Sequence, residues 1–132
     1  MIVAFWCVLV AGVLPFGCAY LAKFGGGATT RYDNRDPRAW LAAQTGFRAR
    51  ANAAQANSFE ALPLFAAAVV IAVLQHVPVA TIDLLAVVFV VARVAYIVCY
   101  VTDRPTLRSA LWGVGFLAIV ALFVFAASGS LR

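Results

Sequence analysis

Four long apolar stretches, at residues 1–22, 47–75, 79–101 and 107–128, alternate with short polar intervals along the chain. Each stretch is long enough to cross a hydrocarbon core about 30 Å thick at a helical rise of about 1.5 Å per residue. The intervals carry turn formers: Gly25-Gly26-Gly27, Gln75-His76-Val77-Pro78 and Thr102-Asp103-Arg104-Pro105-Thr106. The last two are tight, and tight links favour antiparallel neighbours. The pattern predicts an all-α integral membrane protein, an up-down four-helix transmembrane bundle that forms one domain over residues 1–132.

The second helix is expected to begin before its span. Asp36 is placed to cap it and Pro37 suits its first turn. Continued to about residue 76 it holds close to forty residues, or about 60 Å, too long to lie wholly in a bilayer. Only residues 56–74 are apolar enough for hydrocarbon, so the earlier part projects from the membrane or lies at its interface. Pro15 and Pro63 each fall inside an apolar stretch and are expected to bend it. No basic residue precedes the first stretch, as a cleaved leader requires, so it reads as a retained span.

Composition fits this reading. The chain is 65% hydrophobic and only 11% charged, where soluble domains carry roughly a quarter charged residues, and its solvent is therefore a lipid bilayer. The formal net charge of +5 does not imply nucleic acid, because the basic residues cluster in two connections. The first holds Lys23, Arg31, Arg35, Arg38, Arg48 and Arg50, and the third holds Arg104 and Arg108. The second connection holds none, and Arg132 is alone at the C-terminal end. Both basic connections lie on one side of the bundle, which the positive-inside rule makes cytoplasmic, with both termini outside.

Several familiar signals carry no chemistry. Cys7, Cys18 and Cys99 lie in apolar runs and read as small buried hydrophobes. The glycine triplet lacks the Lys-Ser/Thr of a phosphate loop and reads as a turn. His76 has no second ligand in view, so no metal site is expected.

The informative residues are the polar ones inside the spans. Glu60 lies about fifteen residues, or about 22 Å, from the outer end of its helix. Arg93 lies roughly 18 Å from the outer end of the third span. A charge at that depth must face the bundle interior and find a partner, so a Glu60–Arg93 pair within or between subunits is expected. Asn57, three residues before Glu60, shares its face, and Arg50 extends the stripe to the cytoplasmic mouth. Tyr96 and Tyr100 follow Arg93 on one face of the third span, and Arg104 and Arg108 lie at its cytoplasmic end. The arrangement predicts either a polar cavity open to the cytoplasm, with arginines for carboxylates and Glu60 and Asn57 for amine and amide groups, or polar glue between helices.

The segment Ala54-Gln55-Ala56-Asn57-Ser58-Phe59-Glu60-Ala61-Leu62-Pro63-Leu64-Phe65 resembles the signature of the MAPEG family, membrane-associated proteins in eicosanoid and glutathione metabolism. The likeness extends to size, four spans and outward termini, and the small alanine-rich chain resembles a bacterial member. It implies a homotrimer in the bacterial inner membrane, with glutathione as co-substrate bound between subunits near the cytoplasmic side. Arg50, Asn57, Glu60, Arg93 and Tyr96 are then the candidates for binding it. Arg104, Arg108 and Tyr100 are the candidates for stabilising its thiolate. Two departures stand out: Ala53 replaces an arginine the family commonly carries four residues before the asparagine, and Tyr100 occupies the place of the activating arginine of the leukotriene enzyme.

The function implied is a glutathione-dependent transferase or peroxidase that acts on a lipophilic small molecule arriving from the membrane. A non-catalytic membrane protein of the same fold that binds lipid or another small molecule is the alternative. A transporter ranks last, since no internal repeat is evident.

Overall fold

The computed structural model describes residues 3–27 and 31–129. Met1 and Ile2, where the first stretch was expected to begin, and Arg132, which entered the charge count, lie outside the described residues. Five helices make up the fold: α1 (Val3–Phe24), α2 (Pro37–Ala42), α3 (Gly46–Leu74), α4 (Val79–Val101) and α5 (Pro105–Gly129). Four of them, all but α2, are long and apolar enough to cross a membrane. No strand occurs among the described residues.

Helix α1 packs on α3 and α4, α5 packs on α4 and α3, and α3 and α4 meet between them. Small residues let the backbones approach, with Ala4, Ala11, Ala68, Ala72, Ala86 and Ala118 all buried. Phe65 and Phe89 stack in the middle, with ring centroids 3.9 Å apart and planes 17° from parallel. The outward faces are apolar as well: Leu9, Val13, Phe16, Leu84, Leu117 and Val124 are exposed, the surface expected of helices solvated by lipid.

Two links turn the chain by the same device. His76 and Asp103 adopt left-handed conformations, with φ of 56° and 60°. Each is followed by an amide that bonds back to the helix it leaves, Val77 to the Ala72 carbonyl at 3.0 Å and Arg104 to the Cys99 carbonyl at 2.8 Å. Such six-to-one bonds satisfy carbonyls that a helix end leaves open. At the end of the bundle where α4 begins, Asp83, in the second turn of α4, accepts the backbone N–H of Ala4 at 2.8 Å. That bond satisfies one of the orphan donors at the start of α1.

Asp36 caps α2 as expected, its Oδ1 accepting the Ala39 N–H at 3.1 Å, with Pro37 in the first turn. The single helix expected from residue 37 to about 76 is instead broken at residues 43–45. Gly46, at φ +58°, redirects the chain into α3. The Gln44 side chain donates to the Trp40 carbonyl at 2.9 Å and completes the end of α2. Helix α3 continues through Pro63, and α1 through Pro15, without a break in either element.

Aromatic rings fasten the first connection to the bundle. Tyr20, Phe24, Tyr32 and Trp40 meet in sequence with centroids 5.2, 5.8 and 5.1 Å apart. Lys23 lies 4.8 Å from the centre of the Tyr32 ring, and the Arg48 guanidinium 4.9 Å from that of Trp40. Arg48 is buried and also donates to the Gly25 carbonyl at 3.4 Å and to Gln44 Oε1 at 3.3 Å.

Candidate functional site

Three buried or half-buried polar side chains meet where α3 crosses α4. Arg93, only 3% exposed, donates from Nη1 to Asn57 Oδ1 at 2.9 Å and from Nη2 to Ser58 Oγ at 3.0 Å. Ser58 in turn donates to the Ala54 carbonyl of its own helix at 2.8 Å. Asn57 passes the contact on, its Nδ2 lying 3.5 Å from Glu60 Oε2. Within one subunit the direct Glu60–Arg93 pair expected from their depths gives way to a relay, carboxylate to amide to guanidinium. The physical reason is spacing: Asn57 and Ser58 precede Glu60 by three and two positions on α3 and meet the guanidinium first.

Arg93 also begins a column in which two rings lie between two cations. Its guanidinium lies 4.2 Å from the centre of the Tyr96 ring. Tyr96 meets Tyr100 edge to face, with centroids 5.5 Å apart and planes at 79°. The Arg108 guanidinium, from the first turn of α5, lies 4.4 Å from the centre of the Tyr100 ring. Each guanidinium faces the negative side of an aromatic quadrupole, which partly compensates a charge removed from water.

Arg50 is held at the end of α4. Its Nε and Nη2 both donate to the Val101 carbonyl at 3.2 Å. A cation there also opposes the negative end of the α4 dipole. Arg104 is exposed, and its backbone amide closes the α4–α5 turn.

A cavity of about 190 Å³ opens between α3, α4 and α5. Asn57, Glu60 and Arg93 form its polar end. Leu64, Phe89, Trp112, Phe116 and Ile119 supply an apolar wall. Trp112 and Phe116 stack nearly parallel, 6° apart, with centroids at 5.3 Å. An amphiphilic occupant suits such a site: charged or amide groups at one end, an apolar body at the other.

Of the residues singled out in the sequence, Asn57, Glu60 and Arg93 come together at this cavity. Tyr96, Tyr100 and Arg108 continue from Arg93 in the ring column, Arg50 holds the end of α4, and Arg104 stands apart. Sequence reasoning missed Ser58 as a partner of Arg93, and it missed the wall of Phe89, Trp112 and Phe116. The signal for Ser58 was present, a hydroxyl beside Asn57 at a depth where every polar atom needs a partner. Among the described residues no group of three His, Cys, Asp or Glu side chains could hold a metal ion.

Neither the curated proteins nor the solved structures give a match to this chain. A family model does, over residues 3–128, and its description is MAPEG family.

Proposed function

The chain belongs to the MAPEG family, and from that membership together with the relay at Arg93 we propose that it is a glutathione-dependent transferase or peroxidase that acts on a lipophilic electrophile. The observation that carries this reading is the cavity itself. One end presents a cation, an amide and a carboxylate, and the rest is apolar. Glutathione offers carboxylates, an ammonium and two amides, so its groups complement the polar end. A volume of about 190 Å³ takes only part of such a ligand. A homotrimer, in which a neighbouring subunit adds a second wall, completes the site.

Bound glutathione would supply the nucleophile, as its thiolate. Arg93 and Asn57 hold a ligand carboxylate and amide, and Glu60, which is exposed, receives the ammonium. Arg50 keeps Nη1 for a second carboxylate, since Nε and Nη2 are taken by Val101. Tyr96 positions Arg93 through its ring. Tyr100 and Arg108 stabilise the thiolate, the first by its hydroxyl and the second by its charge, with Arg104 as a further cation at the same end. A thiol near pKa 8.5 is only slightly ionised at neutral pH, so such donors raise the reactive fraction. The new C–S bond then forms as the electrophile releases its leaving group or takes up a proton on a ring-opened oxygen. The electrophile reaches the apolar wall from the lipid. Both basic connections face the cytoplasm of a bacterial inner membrane, with the termini outside.

A non-catalytic role in binding lipid or another small molecule is the second reading. It is favoured by Ala53, where an arginine is absent, and by Arg104, which is exposed away from the cavity. Calorimetry with glutathione on detergent-purified protein, with Glu60→Ala as the control, tests the proposal. Binding lost in that variant, together with conjugation of an apolar electrophile, is the expected result. Binding without turnover selects the second reading. A folded wild type that binds nothing at millimolar glutathione reduces Asn57, Glu60 and Arg93 to interhelical glue, and the enzyme reading falls.

A further inference from the structure

The net charge of this chain lies at one end of the bundle. Glu60 and Asp83 cancel Arg93 and Arg132, so the whole formal net charge of +5 belongs to residues 23–50 and 103–108, at one end of the bundle. Within that end the two signs are used differently. Asp33 accepts the Arg35 backbone N–H at 2.9 Å and Asp36 caps α2, so the two carboxylates of the first connection serve local backbone turns. Arg48 and Arg50 are committed to carbonyls inside the bundle. Arg31, Arg35 and Arg38 are all exposed, and their guanidinium groups make no hydrogen bond or ion pair among the described residues.

The height of these three arginines is set by a separate feature. Tyr32, which follows Arg31, and Trp40, which follows Arg38, pack against each other, and the rings of Phe24 and Tyr32 meet at 5.8 Å. Phe24 is the last residue of α1, and it and Tyr20 are exposed on the outside of the bundle. Exposed aromatic residues at the end of a span mark the headgroup level. The ring ladder therefore holds the arginine segment at the membrane surface and keeps it from projecting into water. Guanidinium forks match phosphate oxygens in geometry and charge. A cluster of basic residues fixed beside a span meets lipid phosphates before any soluble anion.

We propose that Arg31, Arg35 and Arg38 form a binding face for the phosphate headgroups of anionic phospholipids in the leaflet at this end of the bundle. The face is independent of the reaction at the cavity. Retention of anionic over zwitterionic lipid is its signature, since phosphatidylcholine carries a compensating cation.

Native mass spectrometry of the full chain in a neutral detergent, offered equal amounts of phosphatidylglycerol and phosphatidylcholine, tests it. The wild type should retain phosphatidylglycerol over phosphatidylcholine by on the order of tenfold or more. The triple variant R31Q/R35Q/R38Q should fall to near parity, and Arg104→Gln should keep the preference. Millimolar glycerol phosphate should fail to displace the bound lipid. Parity in the wild type overturns the proposal without recourse to any variant. A preference that survives in the triple variant, or is lost equally in Arg104→Gln, overturns it too. Displacement by glycerol phosphate overturns the lipid assignment in favour of a free phosphate site.

Discussion

Nη1 of Arg93 on α4 donates to Oδ1 of Asn57 on α3 at 2.9 Å, across 36 positions of sequence. That bond orients the whole Asn57 amide, with its oxygen toward the cation and its nitrogen toward the Glu60 carboxylate. A dipole placed between opposite charges is favourable to both, and it offsets part of the cost of burying Arg93. The same amide lines the cavity, so the side chain that ties α3 to α4 also faces the open space.

The two acceptors of Arg93 should therefore separate. Ser58→Ala removes a buried acceptor and should cost about 1–3 kcal/mol. Its hydroxyl is not part of the cavity lining, so glutathione affinity should stay within a few-fold of wild type. Asn57→Leu should cost a similar amount of stability and also weaken glutathione binding by about tenfold or more. Melting in detergent beside calorimetry distinguishes them. Equal loss of affinity in both would mean that Arg93 alone sets binding.

Arg50→Ala removes the clamp on the Val101 carbonyl. A hydrogen bond from a charged donor is worth about 1.5–3 kcal/mol, reduced here by the half-exposed position. The variant should melt several degrees below wild type. Arg50→Lys, which keeps the charge but cannot supply both Nε and Nη2, should recover only part. Full recovery by lysine would show that charge against the helix end matters and the fork does not.

Tyr100 and Arg108 form a pair whose parts can be taken away separately. Tyr100→Phe keeps the ring under the Arg108 guanidinium and removes only the hydroxyl. If that hydroxyl stabilises the thiolate, the conjugation rate should fall by on the order of 10–100-fold with glutathione affinity nearly unchanged. Arg108→Ala should also lower the rate. The double variant should lose less than the product of the singles, because the two groups act as one unit. Rates that multiply independently would remove the coupling.

Gly25 admits no side chain. A Cβ there would lie 2.6 Å from the Leu21 carbonyl oxygen and 2.7 Å from Phe47 Cε1. Gly25→Ala should destabilise the protein by about 1–3 kcal/mol through overpacking, read as a lower melting temperature. Gly27→Ala meets no neighbouring atom, though its φ is +61°, and should lose less. A larger loss at Gly27 would assign the cost to backbone conformation.

The sequence exposed some of this and hid the rest for identifiable reasons. Asp36 was legible as a cap because it precedes a proline that must begin a helix. The meeting of Asn57, Glu60 and Arg93 followed from depth along two helices, since isolated polar groups in an apolar solvent must converge. Depth places residues at a level but does not say which of two neighbours arrives first. Ser58 and Asn57 therefore displaced Glu60 as partners of Arg93. The cavity wall was invisible because Trp112 and Phe116 look like any lipid-facing aromatics until helix rotation is known. The break before α3 depended on the conformation of one glycine, Gly46, in a stretch otherwise rich in helix formers.

The two polar contacts at the ends of α4 have a joint effect. Apolar helices in a bilayer can slip past one another with little change in packing, because every face offers similar small and branched side chains. Asp83 holds the Ala4 amide in the first turn of α1 at one end of α4, and the last carbonyl of α4 holds Arg50 of α3 at the other. Sliding either partner by one residue, about 1.5 Å, would break its bond to α4. Helix α4 thus acts as a two-ended gauge for its neighbours, setting the level at which Asn57 meets Arg93.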